Sequence, residues 1–102
     1  MRIFDVKLSL EYEDSLIGII EYLNGFSPLI GAKYYEMIQE KVFSLAIMPL
    51  RCPLVRDDRL AEKGVRKISA KNYDIFFIVD ENSGIVYVER ILYSSMAFDI
   101  LL

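Results

Sequence analysis

Residues 65–93 read VRKISAKNYDIFFIVDENSGIVYVERILY. The run from Tyr73 to Asp80 is apolar on both faces. Tyr73, Ile75, Phe77 and Val79 fall on one side of an extended chain, Phe76 and Ile78 on the other. Such a β-branched and aromatic run suits a central strand covered on both sides. Val65–Ala70 precedes it as a short, mixed strand. Glu81-Asn82-Ser83-Gly84 is a polar loop ending in Gly, a hairpin signal, so Val86–Tyr93 returns antiparallel. In that last strand Val86 and Val88 share one phase, and Ile91 and Tyr93 the other, which places a bulge near Glu89-Arg90. Arg66, Lys67, Lys71 and Arg90 punctuate these strands, with Tyr73 and Tyr93 beside them. A rigid sheet carrying such side chains is the first place to look for function.

Upstream, Arg2–Leu10 alternates and predicts a half-buried first strand, with Phe4, Val6, Leu8 and Leu10 on its apolar face. Glu11–Phe26 predicts a helix. Glu13 and Asp14 suit its N-terminus through the helix dipole. Leu16, Ile19, Ile20 and Leu23 form its stripe, widened by Ile17, and Asn24-Gly25 ends it, Gly being the usual left-handed terminator. Ser27-Pro28 is an N-cap and first-turn pair opening a second helix to about Ile47, with Ala32, Tyr35, Ile38, Val42 and Leu45 as its buried stripe. Pro49 stops it. The short link between the helices predicts an antiparallel hairpin. Tyr34 and Tyr35 read as core and rim. Pro49–Gly64 reads as a loop with a helical turn around Arg59–Lys63. Ser94–Leu102 reads as a short terminal helix whose Met96, Phe98 and Leu101 pack on the sheet or meet a partner.

Composition narrows the classes. The 102 residues suit one domain, 1–102, and with 54% hydrophobic residues disorder is excluded. No apolar run approaches the roughly 20 residues a bilayer span needs, and the N-terminus lacks the core of a signal peptide. A cytoplasmic protein without membrane contact is expected. There is no His, which removes the commonest metal ligand and acid–base group. No cofactor is expected. The single Cys52 reads as a small semi-buried loop residue. The net charge of −3 argues against generic nucleic-acid affinity. It is uneven, however: residues 49–71 carry seven basic and three acidic side chains, leaving a local anion site open.

The order β-α-α-β-β-β, with a twisted antiparallel sheet and a helical hairpin on one face, is an α+β fold. It resembles the RelE/ParE superfamily of bacterial toxins, also known as plasmid stabilisation proteins. Ala32, Ile38, Val42, Leu45 and Pro49 match the family's second-helix pattern. Gly64, Arg66, Ile68, Tyr73, Ile75, Phe77, Val79 and Asp80 match its strand block, and Val86, Val88, Ile91, Leu92 and Tyr93 its returning strand. The resemblance implies a toxin neutralised by a cognate antitoxin. RelE-like members cleave mRNA on the ribosome; ParE-like members poison DNA gyrase. Arg66 falls on the family's recurrent strand Arg. Tyr93 stands where many members have His, and Ser94-Ser95 where many have Arg.

The chemistry points the same way. RNA cleavage needs activation of the 2′-hydroxyl and stabilisation of developing phosphorane charge. Arg66, Lys71 and Arg90 are the candidates for the charge, Tyr73 and Tyr93 for the proton-bearing group. The plainer readings are a core Tyr73, a solvated Lys71, and an Arg90 paired with Glu89 or Asp74. The absence of basic residues at Ser94 and Ser95 favours a toxin that binds a macromolecular target such as gyrase. The alternatives are a ribosome-dependent endoribonuclease and a non-catalytic member acting only as a binding partner.

Overall fold

The computed structural model describes residues 1–95. Its elements are β1 (Asp5–Leu8), α1 (Leu10–Asn24), α2 (Pro28–Phe43), α3 (Asp58–Glu62), β2 (Val65–Ala70), β3 (Tyr73–Asp80) and β4 (Ile85–Tyr93), with 3-10 turns at Ser44–Ala46 and Pro49–Arg51. The four strands form one sheet in the order β1-β4-β3-β2. β3 is therefore internal, as its two-sided apolarity requires. On one face Ile75 and Phe77, with Val86, Val88 and Ile91, meet Tyr12 and Leu16 of α1 and Ile38 and Val42 of α2. On the other, Phe76 and Val65 pack with Val55, flanked by Leu60 and Ile78. Both helices thus cover one face, and the connector before β2 covers part of the other.

The antiparallel description holds for β2, β3 and β4, whereas β1 runs parallel to β4. The sheet is mixed for a topological reason. α1 and α2 reverse the chain twice, and the connector 44–64 returns it to the end where β1 began. β2 then starts in the direction of β1, and two antiparallel steps give β4 that direction too. Register shifts between Phe76, opposite Arg90, and Phe77, opposite Val88. Glu89 is the extra residue, where the change of phase places the bulge.

Several local readings are corrected. β1 is shorter than Arg2–Leu10, and Leu10 begins α1 and lies exposed. Ser9 ends the strand by capping the helix: its hydroxyl accepts from Tyr12 N–H at 3.0 Å. Ile17 is exposed, while Tyr12, outside the expected stripe, is fully buried. Gly25 is right-handed, at φ −63°, so it ends α1 without the left-handed turn. In α2 the buried set begins at Gly31, and Ala32 and Tyr35 face outward. Gly31 sits against Asn24 of α1, where a Cβ would come within 1.8 Å of the amide oxygen. A glycine at a helix crossing is invisible to a hydrophobic pattern, so the expected stripe began one residue late. α2 also ends at Phe43 and passes into the 3-10 turn, ahead of the expected Ile47.

The connector closes the outer edge of β2. Val55 N–H donates to Val65 O at 3.0 Å and Lys67 N–H to Pro53 O at 3.2 Å, which blunts an edge that would otherwise present unpaired groups. Among the described residues no helix is long and apolar enough to cross a membrane.

Candidate functional site

The β2–β3 connection is the two-residue turn Lys71-Asn72. Lys71 takes a left-handed conformation, φ 51°, and its ammonium lies 5.5 Å from the centre of the Tyr34 ring. Tyr34 meets Tyr73 edge-on with centroids 6.1 Å apart, and Tyr73 meets Tyr93 across the β3–β4 pair at 5.5 Å. Three strand and turn candidates, Lys71, Tyr73 and Tyr93, are therefore brought together, joined by Tyr34 of α2.

These rings form one wall of a groove of about 610 Å³. α1 supplies the opposite wall through Gly18, Ile19, Tyr22 and Leu23, and Ile91 contributes from the sheet. Gly18 leaves space: nothing lies within 4 Å of where its Cβ would stand. The groove is aromatic and aliphatic, with phenol hydroxyls, Ser15 and Asn72 as polar groups and Lys71 beside Tyr34. Burial first, then the phenols of Tyr34, Tyr93 and Tyr22, raise the Tyr73 pKa above its ordinary 10.0. Burial thus favours the neutral phenol over the phenolate.

The two arginines lie elsewhere. Arg66 pairs in register with Phe77. Ala70, four residues further along β2, pairs with Tyr73, so Arg66 is roughly 13 Å along the sheet from the phenol cluster. Its Nη1 donates to Cys52 O at 2.6 Å and reaches Leu50 O at 3.5 Å. Arg90 forms an ion pair with Glu11 at 2.8 Å, not with Glu89 or Asp74; both side chains are substantially exposed, so the pair adds little stability. Asp74 instead faces Lys67 at 3.7 Å. Met96, Phe98 and Leu101, expected to contact a partner, lie outside the described residues.

Two features escaped the sequence. Asp74 is buried within an apolar strand, 6% exposed. Its Oδ1 accepts from Ser69 Oγ at 2.8 Å and Ser94 Oγ at 3.1 Å. The only signal was a carboxylate in an otherwise apolar run. The α1 wall of the groove was the second: Gly18 and Tyr22, four residues apart, share a helix face, but neither type marks a site alone. Cys52 is buried, and desolvation raises its thiol pKa against the lowering effect of Arg51, Arg66 and Lys41, which makes it a poor nucleophile.

A sequence model of the ParE toxin of type II toxin–antitoxin systems matches residues 6–98. The chain belongs to the ParE toxin family. The match begins within β1 and runs past the end of β4. Solved structures agree on the fold. One is a chromosomal ParDE toxin–antitoxin system from P. aeruginosa, with a TM-score of 0.71 and 19% identity over 89% of this chain and 96% of that one. Another is the RelBE2 toxin–antitoxin complex from Mycobacterium tuberculosis, with a TM-score of 0.61 and 18% identity over 89% of this chain and 98% of that one. A comparison with curated proteins finds no match. At these identities the structural likeness speaks for the fold alone, and a fold does not name a target.

Proposed function

We propose that this ParE-family chain arrests bacterial growth by binding a macromolecular target, with DNA gyrase as that target, and that a cognate antitoxin holds it inactive. The observation that carries this reading is the division of the candidate residues. The groove gathers phenols around Lys71, while Arg66 hydrogen-bonds the backbone and Arg90 pairs with Glu11. RNA cleavage would need a base for the 2′-hydroxyl and clustered cations for the phosphorane. The chain has no His, and burial raises the Tyr73 phenol above its ordinary range. An apolar, phenol-rimmed groove suits a protein surface better than a reacting phosphate. The antitoxin reading draws on the apolar tip of the helical hairpin, where Tyr22, Phe26 and Leu29 are exposed and an amphipathic segment finds an apolar face.

The test is purified chain in two parallel assays, gyrase supercoiling and cell-free translation with the mRNA followed on a gel. The expected result is loss of supercoiling with intact mRNA. Ribosome-dependent loss of mRNA would replace this reading with the endoribonuclease. No effect in either assay, and none on growth, would favour a member that only partners another chain.

A further inference from the structure

We propose that the outer edge of β1 takes a further strand from a protein partner: an extended segment running antiparallel to Asp5–Leu8, with an acidic residue opposite Lys7 and apolar residues opposite Val6 and Leu8. The proposal rests on the reading that this chain works by binding proteins, and its test needs neither target nor antitoxin.

The backbone hydrogen bonds locate the site. The order β1-β4-β3-β2 leaves the sheet an edge at β1 and an edge at β2. The connector closes the one at β2. At the other, Asp5 N–H donates to Gly84 O at 2.9 Å and Ser9 N–H to Val88 O at 3.0 Å. Asp5, Lys7 and Ser9 thus turn their backbone groups towards β4, and alternation turns those of Val6 and Leu8 away from it. Phe4 has the same phase and shows how such a group is satisfied. Its N–H donates to Ala46 O at 2.8 Å, and Ile3 and Ile47 form an antiparallel bridge. The connector follows the edge no further. Among the described residues none bonds the outward N–H and C=O groups of Val6 and Leu8. These groups stand in the register of consecutive hydrogen-bonded pairs of an antiparallel ladder.

The side chains say what the strand carries. Val6 and Leu8 pack against the core yet are only half-buried, while Asp5 and Lys7 are exposed. Apolar residues beside Val6 and Leu8 complete that cover. Lys7 falls between the bonded pairs, where facing side chains come closest, and an acidic residue there is attracted. The same position disfavours a second copy of this chain. A two-fold pairing centred on Lys7 sets two ammonium groups opposite each other, which is destabilising. One centred on Val6 sets Leu8 against Phe4, whose outward N–H is held by Ala46. Lys7 thus guards the edge against self-association and selects a partner of opposite charge.

The experiment is amide hydrogen exchange, read by NMR on the full chain. The chain is measured alone and with the end-blocked peptide Thr-Val-Glu-Val-Thr or its control Thr-Val-Lys-Val-Thr at millimolar concentration. In the free chain the Lys7 amide is expected to exchange slowly, and those of Val6 and Leu8 fast. The glutamate peptide is expected to slow exchange at Val6 and Leu8, and the lysine peptide to bind roughly fivefold more weakly. Lys7→Glu, at an exposed position, is expected to reverse the order of the two peptides. Slow exchange at Val6 and Leu8 in the free chain at every protein concentration overturns the proposal, because the chain then covers its own edge. Slowing that grows with protein concentration in the absence of peptide overturns it in favour of a second copy. No slowing with either peptide leaves an edge that is guarded and unused. Equal responses to both peptides, or an order that Lys7→Glu does not reverse, remove the acidic partner. Each of these results leaves the gyrase reading standing, since supercoiling and translation are assayed without the peptides.

Discussion

Arg66→Ala separates a structural arginine from a functional one. In the structure the guanidinium donates to Cys52 O at 2.6 Å and at the limit of bonding distance to Leu50 O. This ties the end of the 3-10 turn Pro49–Arg51 to β2. A charge-assisted bond of this kind is worth about 1.5–3 kcal/mol. Arg66 is only half-buried, so water replaces part of it, and the expected loss is about 1–2 kcal/mol. At about 4–8 °C per kcal/mol for a domain of this size, Tm falls by about 4–16 °C. Arg66→Lys keeps one cationic donor and loses about half as much. The assay is thermal unfolding of the purified variants beside growth inhibition, normalised to soluble toxin. Growth inhibition is expected to fall only as far as folded protein falls, and to recover at lower growth temperature. Full loss of toxicity with an unchanged Tm would refute this reasoning and make Arg66 a target-binding or catalytic group.

The Asp74 latch predicts a coupled pair. Asp74→Ala strands two hydroxyl donors and costs about 2–3 kcal/mol, Ser94→Ala about 1. In urea unfolding the double variant is expected to be no worse than Asp74→Ala, and additive losses would show that the two do not act together. Tyr12 predicts a pH dependence. Burial, then Tyr35 and Glu13, push its phenol up to about 12 from 10.0, so the folded state keeps a proton that the unfolded state releases. The neutral-phenol contribution is complete below pH 10 and lost between about 10 and 12, up to about 3 kcal/mol. Unfolding free energies measured across that range should fall less steeply for Tyr12→Phe, and equal slopes would dismiss the assignment. Gly18→Ala places a methyl group in open space within a helix and is expected to stabilise by about 1 kcal/mol in thermal unfolding; a lower Tm would mean that the groove wall does not tolerate a Cβ.

The sheet was the most legible part of the chain because strand patterning has a short period and β3 carried it on both faces. Phe76 and Ile78 announced cover on the second face, and Val55 and Leu60 supply part of it. The change of phase between Val88 and Ile91 located the bulge for the same reason. The direction of β1 was not legible, since alternation reports which face is buried and says nothing of strand polarity. The helices were legible in extent more than in phase. Tyr12 is fully buried although its hydroxyl makes only a long contact to Gln39, at 3.4 Å, and Gly31 is buried through its lack of a side chain.

The site was less legible because charge and proximity in sequence do not convert into proximity on a sheet. Arg66 and Lys71 are five residues apart in sequence, yet the first stands well up β2 and the second at its terminal turn. The net-positive stretch 49–71 looked like the place for an anion. In the structure four of its cations, Arg51, Arg66, Lys67 and Lys71, instead make contacts within the chain. Arg51 donates to the carbonyls of Ile47 and Met48 at 2.6 and 3.1 Å and to Ser44 Oγ at 3.0 Å. Arg66 binds the Cys52 carbonyl, Lys67 faces Asp74, and Lys71 lies over Tyr34. An irregular connector must satisfy many backbone carbonyls outside any ladder, and guanidinium groups with five donors each are suited to that task. What the fold gathers at the end of the sheet is a set of tyrosine rings, Tyr34, Tyr73 and Tyr93, with the Lys71 ammonium over the first of them.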